Sequence, residues 1–261
     1  MLLGPPLGGI LFQMGGYVLP FIFGSALCLL QAALIFIFLR NTDVKSTRAA
    51  VTNVWKPELF QIMGAIVIGA ASLTMLEPII PLILKQKFGT NPLQMGVVFA
   101  ITTLAFGGMS PIAGKISDKA GNIPVILTGM FFLGCSIPTL ALPDSIYLET
   151  VAMVIVGVAS ALTIVPTLPE LARSAKESSY EQIYSTFNVC YAIGNIIGPI
   201  IGGATVHAYG FTTALLIFGG VIILYSILSK LCGKNPKKSY DEEDEEVEIE
   251  EVGLIKPNKI I

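Results

Sequence analysis

The run LEPIIP at 76–81 places a carboxylate, Glu77, inside a stretch, 58–84, whose other charge is Glu58 at its very start, and follows it with Pro78 and Pro81. An ionisable group at such a depth is costly in hydrocarbon and is therefore a candidate for function. The two prolines free backbone carbonyls and kink a helix, so Glu77 is expected to face a wet cavity rather than lipid. A carboxylate so placed can load and release a proton or hold an organic cation. The competing reading is a structural acid hydrogen-bonded to a neighbouring helix.

Other polar residues are arranged with helical spacing. Tyr184, Asn188, Tyr191 and Asn195 follow one another at steps of 4, 3 and 4, which puts all four on one face of a helix, either lining a pathway or joining helices. Beside them Gly194, Gly198 and Gly202 form a ridge of small residues suited to close helix contact, with Pro199 as a hinge or kink. Glu170 follows Pro166 and Pro169 and lies close to Arg173, either at a cavity mouth or as an interfacial acid; Glu149 is expected to be solvated at the opposite end of the same span. His207 is the single histidine and has no partner that would make it catalytic. No Ser-His pair, metal-binding helix motif or phosphate-cradling loop occurs, so neither an enzyme, a cofactor, a metal site nor a nucleic-acid partner is expected. Cys28, Cys135, Cys190 and Cys232 show no disulfide or metal spacing and read as small buried apolar residues.

The elements that must hold these groups are membrane spans. The 261 residues are 53% hydrophobic and 13% charged, with a mean hydropathy of +0.75, which fits a chain whose solvent is the bilayer. Charge-poor windows at about 18–39, 58–84, 93–113, 122–142, 147–170, 183–205 and 209–231 each approach the roughly 20 residues needed to cross a hydrocarbon core of about 30 Å. Residues 1–14 are apolar but short for a crossing, and their Pro-Pro pair and lack of a basic start are unlike a cleaved leader. Twelve cations fall on one side, in the connections 40–57, 114–121, 171–182 and 230–238, against Lys85 and Lys87 on the other, so the first side, with the C-terminus, is expected to be cytoplasmic. The run DEEDEEVEIEE at 241–251 is too acidic to fold by itself.

The chain also repeats itself. Gly4, Pro5, Gly8, Gly9 and Gly16 match Gly198, Pro199, Gly202, Gly203 and Gly210 at a constant offset of 194 residues, a distance that covers six helix starts. Parallel six-helix repeats are the plan of the major facilitator superfamily, and the chain resembles that plan. GKISDKAG at 114–121 is similar to the superfamily's loop motif, with Gly114 and Gly121 allowing a tight turn and Asp118 and Lys119 bridging to helix ends. On this resemblance the fold is an all-α major facilitator bundle. It would hold the last two helices of an N-terminal half (1–39, the first cut short), a cytoplasmic central loop (40–57), a complete C-terminal six-helix half (58–231) and an acidic tail (232–261). Four further helices are then expected ahead of Met1, and the Gly4-Pro5 and Gly198-Pro199 pairs fall in the helices that in this superfamily carry the antiport-associated motif.

LLGPPLGG (2–9), LEPIIP (76–81), GKISDKAG, IVPTLPELARSAKE (164–177) and GNIIGPIIGG (194–203), in this order, resemble the vesicular amine transporter family, most closely its polyamine branch. That resemblance implies exchange of lumenal protons for cytosolic amines in a vesicle membrane; the candidate substrate- and proton-binding set, read from the placement of the residues themselves, is Glu77, Glu170, Asn188, Tyr191 and Asn195. The monoamine and acetylcholine branches carry membrane-embedded aspartates where a gapless carry-over places Arg173 and Asn188, which disfavours a monoamine substrate. Other readings stay open: a half-carrier that pairs with or regulates a longer relative, an incomplete gene model, or a homodimer that restores the second half.

Overall fold

The computed structural model describes residues 4–39, 57–174 and 180–232. Most of the central loop and the acidic tail therefore lie outside the described residues. The described residues form helices only: α1 (Gly4–Gly15), α2 (Val18–Leu39), α3 (Pro57–Phe88), α4 (Pro92–Ala120), α5 (Asn122–Thr139), α6 (Ile146–Ile164), α7 (Thr167–Ser174), α8 (Tyr180–Tyr209) and α9 (Phe211–Cys232). Seven segments are long and apolar enough to cross a membrane, with α6 and α7 sharing one span, so this is a multi-pass membrane protein. The short α1 is not among the seven.

Local chemistry sets the helix ends. Asn91 caps α4 through a reciprocal box: its Oδ1 accepts from the Gln94 amide at 2.8 Å, and its own amide donates to Gln94 Oε1 at 3.0 Å, with Pro92 at the first helical position. The turns after α1 and α8 are built alike. Gly16 and Gly210, equivalent in the repeat, have φ of 65° and 80°, a conformation open to glycine. Each closes its helix with an amide bond of 2.9 Å, to the carbonyls of Phe12 and Val206, which are again 194 residues apart.

Two boundaries differ from the sequence expectation. GKISDKAG is not a loop over its length: α4 runs on through Ala120, and Gly121 alone separates it from α5. Polar residues at the membrane edge extend a helix as readily as they leave it, since helices are not bounded by the hydrocarbon. The span expected at 147–170 is present as one span, but its helix is interrupted at Val165-Pro166, because Pro166 has no amide to continue the α6 ladder.

Helix α3 is the hub, packed most extensively on α8, while α5 joins α9 and α6, and α4 joins α6 and α1. Met75, Ile80 and Leu84 of α3 meet Met130, Leu133 and Ile137 of α5, Met153 and Val156 of α6, and Leu215 of α9 in the main core. A second cluster joins Leu59, Ile62 and Ile66 of α3 to Leu171 of α7 and to Ile183 and Cys190 of α8. Hydroxyls along the spans donate to carbonyls four residues back, as Ser72 to Ile68 and Thr163 to Ala159, which satisfies them where water is absent. Cys28 and Cys135 were expected to be buried, but both lie exposed on outer helix faces; only Cys190 of the described thiols is in the core. In a bilayer an apolar thiol is as well placed against lipid as in the interior.

Bonds between helices tie the end of the bundle that holds the start of α3 and the end of α9. Tyr225 donates its hydroxyl to the Gln61 carbonyl at 2.7 Å, Gln61 Nε2 donates to the Ser229 carbonyl at 2.8 Å, and Ser226 donates to the Leu127 carbonyl at 2.8 Å. Tyr225→Phe removes one such donor while keeping the ring over Gly64. The expected loss is about 1 kcal/mol, read as a lowered melting midpoint of the detergent-solubilised chain.

Candidate functional site

The site is assembled on α3 and α8. Gly194 lies against the Val67 carbonyl and Ala70, Gly198 against Ala71 and Thr74, and Gly202 against Met75. The numbers rise together, so the two helices run parallel, and the predicted small-residue ridge is the surface on which α8 seats. Thr74 Oγ1 donates to the Ala70 carbonyl at 2.9 Å and reaches the Gly194 carbonyl at 3.5 Å, closing the seam with a polar contact.

Glu77 and Pro78 are exposed, although the residues around them, Thr74, Met75, Leu76, Ile79 and Ile80, are buried. The carboxylate therefore leaves the core side of α3, and it does so one residue before the first proline. Along the seam it lies just beyond Met75, nearer the level of Gly202 than of Asn195 or Tyr191. Tyr191 is half-buried and stacks on Phe187, with ring centroids 5.9 Å apart and planes 16° from parallel. One turn further along α8, Asn195 holds a buried Oδ1 that has no hydrogen-bond partner among the described residues, an acceptor left available to a bound donor. Asn188 is exposed and donates to the Tyr184 carbonyl of its own helix at 2.9 Å, which leaves its Oδ1 outward. Glu77 on α3 and Tyr191 and Asn195 on α8 offer an anionic oxygen, an aromatic face with a hydroxyl, and an amide oxygen at different levels of the α3–α8 pair, groups that each suit a cation bearing N–H donors.

Glu170 is placed elsewhere. It sits on α7, 5% exposed, and its Oε2 accepts from Asn122 Nδ2 at 2.9 Å. Asn122 begins α5, immediately after Gly121, so Glu170 belongs with the GKISDKAG end of the bundle. There Asp118 and Lys119 are exposed, Ser117 donates to the Gly114 carbonyl at 2.8 Å, and the Gly121 amide donates to the Ser117 carbonyl at 2.9 Å. Asn122 was not singled out in the sequence; its position directly after the motif glycine is the signal that could have marked it. Gly198 and Pro199 lie inside continuous α8, and Gly4 and Pro5 open α1, where Gly4 faces open space. His207 is exposed, as expected. Glu149 reverses its expectation: it is 0% exposed, because the first turn of α6, capped by Ser145, is drawn into the packing of α6 on α4 and α5 rather than left at the surface.

The sequence profile of the Major Facilitator Superfamily matches residues 62–259. The rat protein named MFS-type transporter SLC18B1 is 31% identical over 245 residues, covering 87% of this chain and 52% of that protein. Its human counterpart is 29% identical, covering 88% and 53%, and the bovine Synaptic vesicular amine transporter is 27% identical, covering 91% and 47%. The chain spans about half the length of the curated relatives it matches. Seven apolar spans, a glycine seam between parallel helices and a profile match over most of the chain lead to one conclusion: this chain belongs to the Major Facilitator Superfamily of membrane transporters.

Proposed function

We propose that this chain works in proton-coupled antiport that moves small organic cations, amines or polyamines, into vesicles in exchange for lumenal protons. The observation that carries the reading is Glu77: an acid within a span, exposed beside Pro78 while its neighbours are buried. The names of the relatives supply the amine and the vesicle; the surplus of Lys and Arg on one side supports a cytoplasmic C-terminus. In this reading residues 58–231 form one six-helix half, α1 and α2 end the other half, Asn188 and Asn195 help line the cavity, and Glu170 with the 114–121 segment supports the rocking of that half.

Reconstitution tests it. Inside-acid proteoliposomes carrying the chain are expected to accumulate labelled spermidine or spermine, and a protonophore is expected to abolish the accumulation. Uptake indifferent to the pH gradient overturns the antiport. A second reading, a half-carrier that pairs with a second chain or a missing N-terminal half, is favoured by α2, whose span has none of its most apolar window buried. It expects no uptake by the chain alone and a crosslinked species that contains two chains.

A further inference from the structure

Glu149 takes no part in the antiport reading, yet it is the most enclosed acid among the described residues: 0% exposed, with neither carboxylate oxygen hydrogen-bonded. It lies at the end of the bundle opposite the 114–121 segment, in the first turn of α6. An ionised carboxylate cannot rest there without a partner, whereas the neutral acid can. The cation tied to the turn that leads into α6 is Lys87, in the last turn of α3. Lys87 is exposed and donates from Nζ to the Ala141 carbonyl at 3.3 Å, which bridges α3 to the turn ahead of α6.

Among the described residues the other ionisable groups at this end lie exposed, His207 and Tyr209 at the end of α8 included. Helix α4 has no ionisable residue between Pro92 and Pro111, and the second half of α5 has only Cys135, which faces outward. Lys85 and Asp144 at this end are exposed, as is Tyr147 of α6 itself, and α7 carries Glu170 and Arg173 at the far end of the bundle. Thr90, in the turn after α3, has a second buried hydroxyl with no partner, so this end of the bundle is short of hydrogen bonds at two places.

The geometry points to Glu149 as a proton-binding latch on the membrane face opposite the 114–121 segment, separate from the Glu77 site. Protonated, the acid stays sealed beneath the α3–α4 turn and Lys87 holds Ala141. When its proton leaves to the water on that face, the carboxylate must move out to pair with the Lys87 ammonium, which gives up Ala141 and loosens the contact between the end of α3 and the start of α6. Acid on that face therefore favours the sealed end.

The test uses the whole chain in lipid nanodiscs, followed by infrared spectroscopy across a pH titration; no transport is involved, so the result is independent of the Glu77 reading. Wild type is expected to show the stretch of a protonated carboxyl without hydrogen bonds, lost as the pH rises, and Glu149→Gln is expected to remove that band at every pH. Lys87→Met, at an exposed position, is expected to keep the band and to move the pH at which it is lost, because the ionised acid loses its partner. Amide exchange over residues 83–90 and 140–148 is expected to rise with loss of the band in wild type and to follow only the intrinsic pH dependence in Glu149→Gln. Absence of the band, a band untouched by Glu149→Gln, or a titration that Lys87→Met leaves unmoved overturns the proposal.

Discussion

Replacing Glu77 by Gln is expected to reduce pH-driven amine exchange by about 10- to 100-fold while leaving the fold intact. The substitution keeps shape and hydrogen-bonding reach but removes the charge and the titratable proton. A charge-assisted contact to an amine is worth about 1.5–3 kcal/mol, which sets the range of the loss. Glu77 is exposed, so its replacement relieves no buried charge and strands no partner in the core. The melting midpoint of Glu77→Gln should accordingly stay within the range of a surface change, about 0.5 kcal/mol. The two measurements separate the roles open to this acid. A structural carboxylate bonded to a neighbouring helix would give the reverse pattern, lowered stability with exchange retained, and full exchange in Glu77→Gln would remove Glu77 from the transport chemistry. Glu77→Asp, which keeps the charge on a shorter arm, should recover part of the activity.

The spans were legible because the membrane imposes a one-dimensional rule: a window without charge, long enough to cross, must be a helix. The seven windows and the seven apolar helices agree for that reason, and the glycine ridge was legible because steps of four define a helix face. Features that depend on a second element were not. Nothing in GKISDKAG says whether its turn takes eight residues or one; the answer lies in how far α4 extends before it meets α5. Glu149 reads as an end residue because it stands four positions after Ser145, and only the packing of α6 on α4 and α5 buries it. Glu170 shows the same limit, since two prolines and an arginine nearby suggest a cavity mouth, while the partner that fixes it, Asn122, lies 48 residues away. At the Glu77 site the polar stripe on α8 was readable from spacing, but the stacking of Phe187 on Tyr191 and the unpaired oxygen of Asn195 were not, as both depend on what α3 covers.

Widening the glycine seam should be the most damaging change to the fold. A Cβ built on Gly198 meets the Ala71 carbonyl oxygen and Thr74 Oγ1, each at 2.5 Å, and the Ala71 Cα at 3.0 Å. Two of those three atoms belong to the α3 backbone, which cannot turn aside as a side chain would. The helices must separate, and in a bilayer no hydrophobic force returns them, because lipid tails are as apolar as the side chains; close packing is itself the attraction. Overpacking typically costs about 1–3 kcal/mol, and Gly198→Leu is placed at or above the upper end, since α3 and α8 form the most extensive helix pair and α3 also carries the core around Met75 and Ile80. Gly203→Leu provides the control: a Cβ there meets nothing within 4 Å, so it should leave stability unchanged. Thermal unfolding followed by size-exclusion chromatography reads both variants. Equal midpoints for Gly198→Leu and Gly203→Leu would mean that the seam does not hold α8 on α3, and the parallel placement of the two helices that carry Glu77, Tyr191 and Asn195 would lose its support.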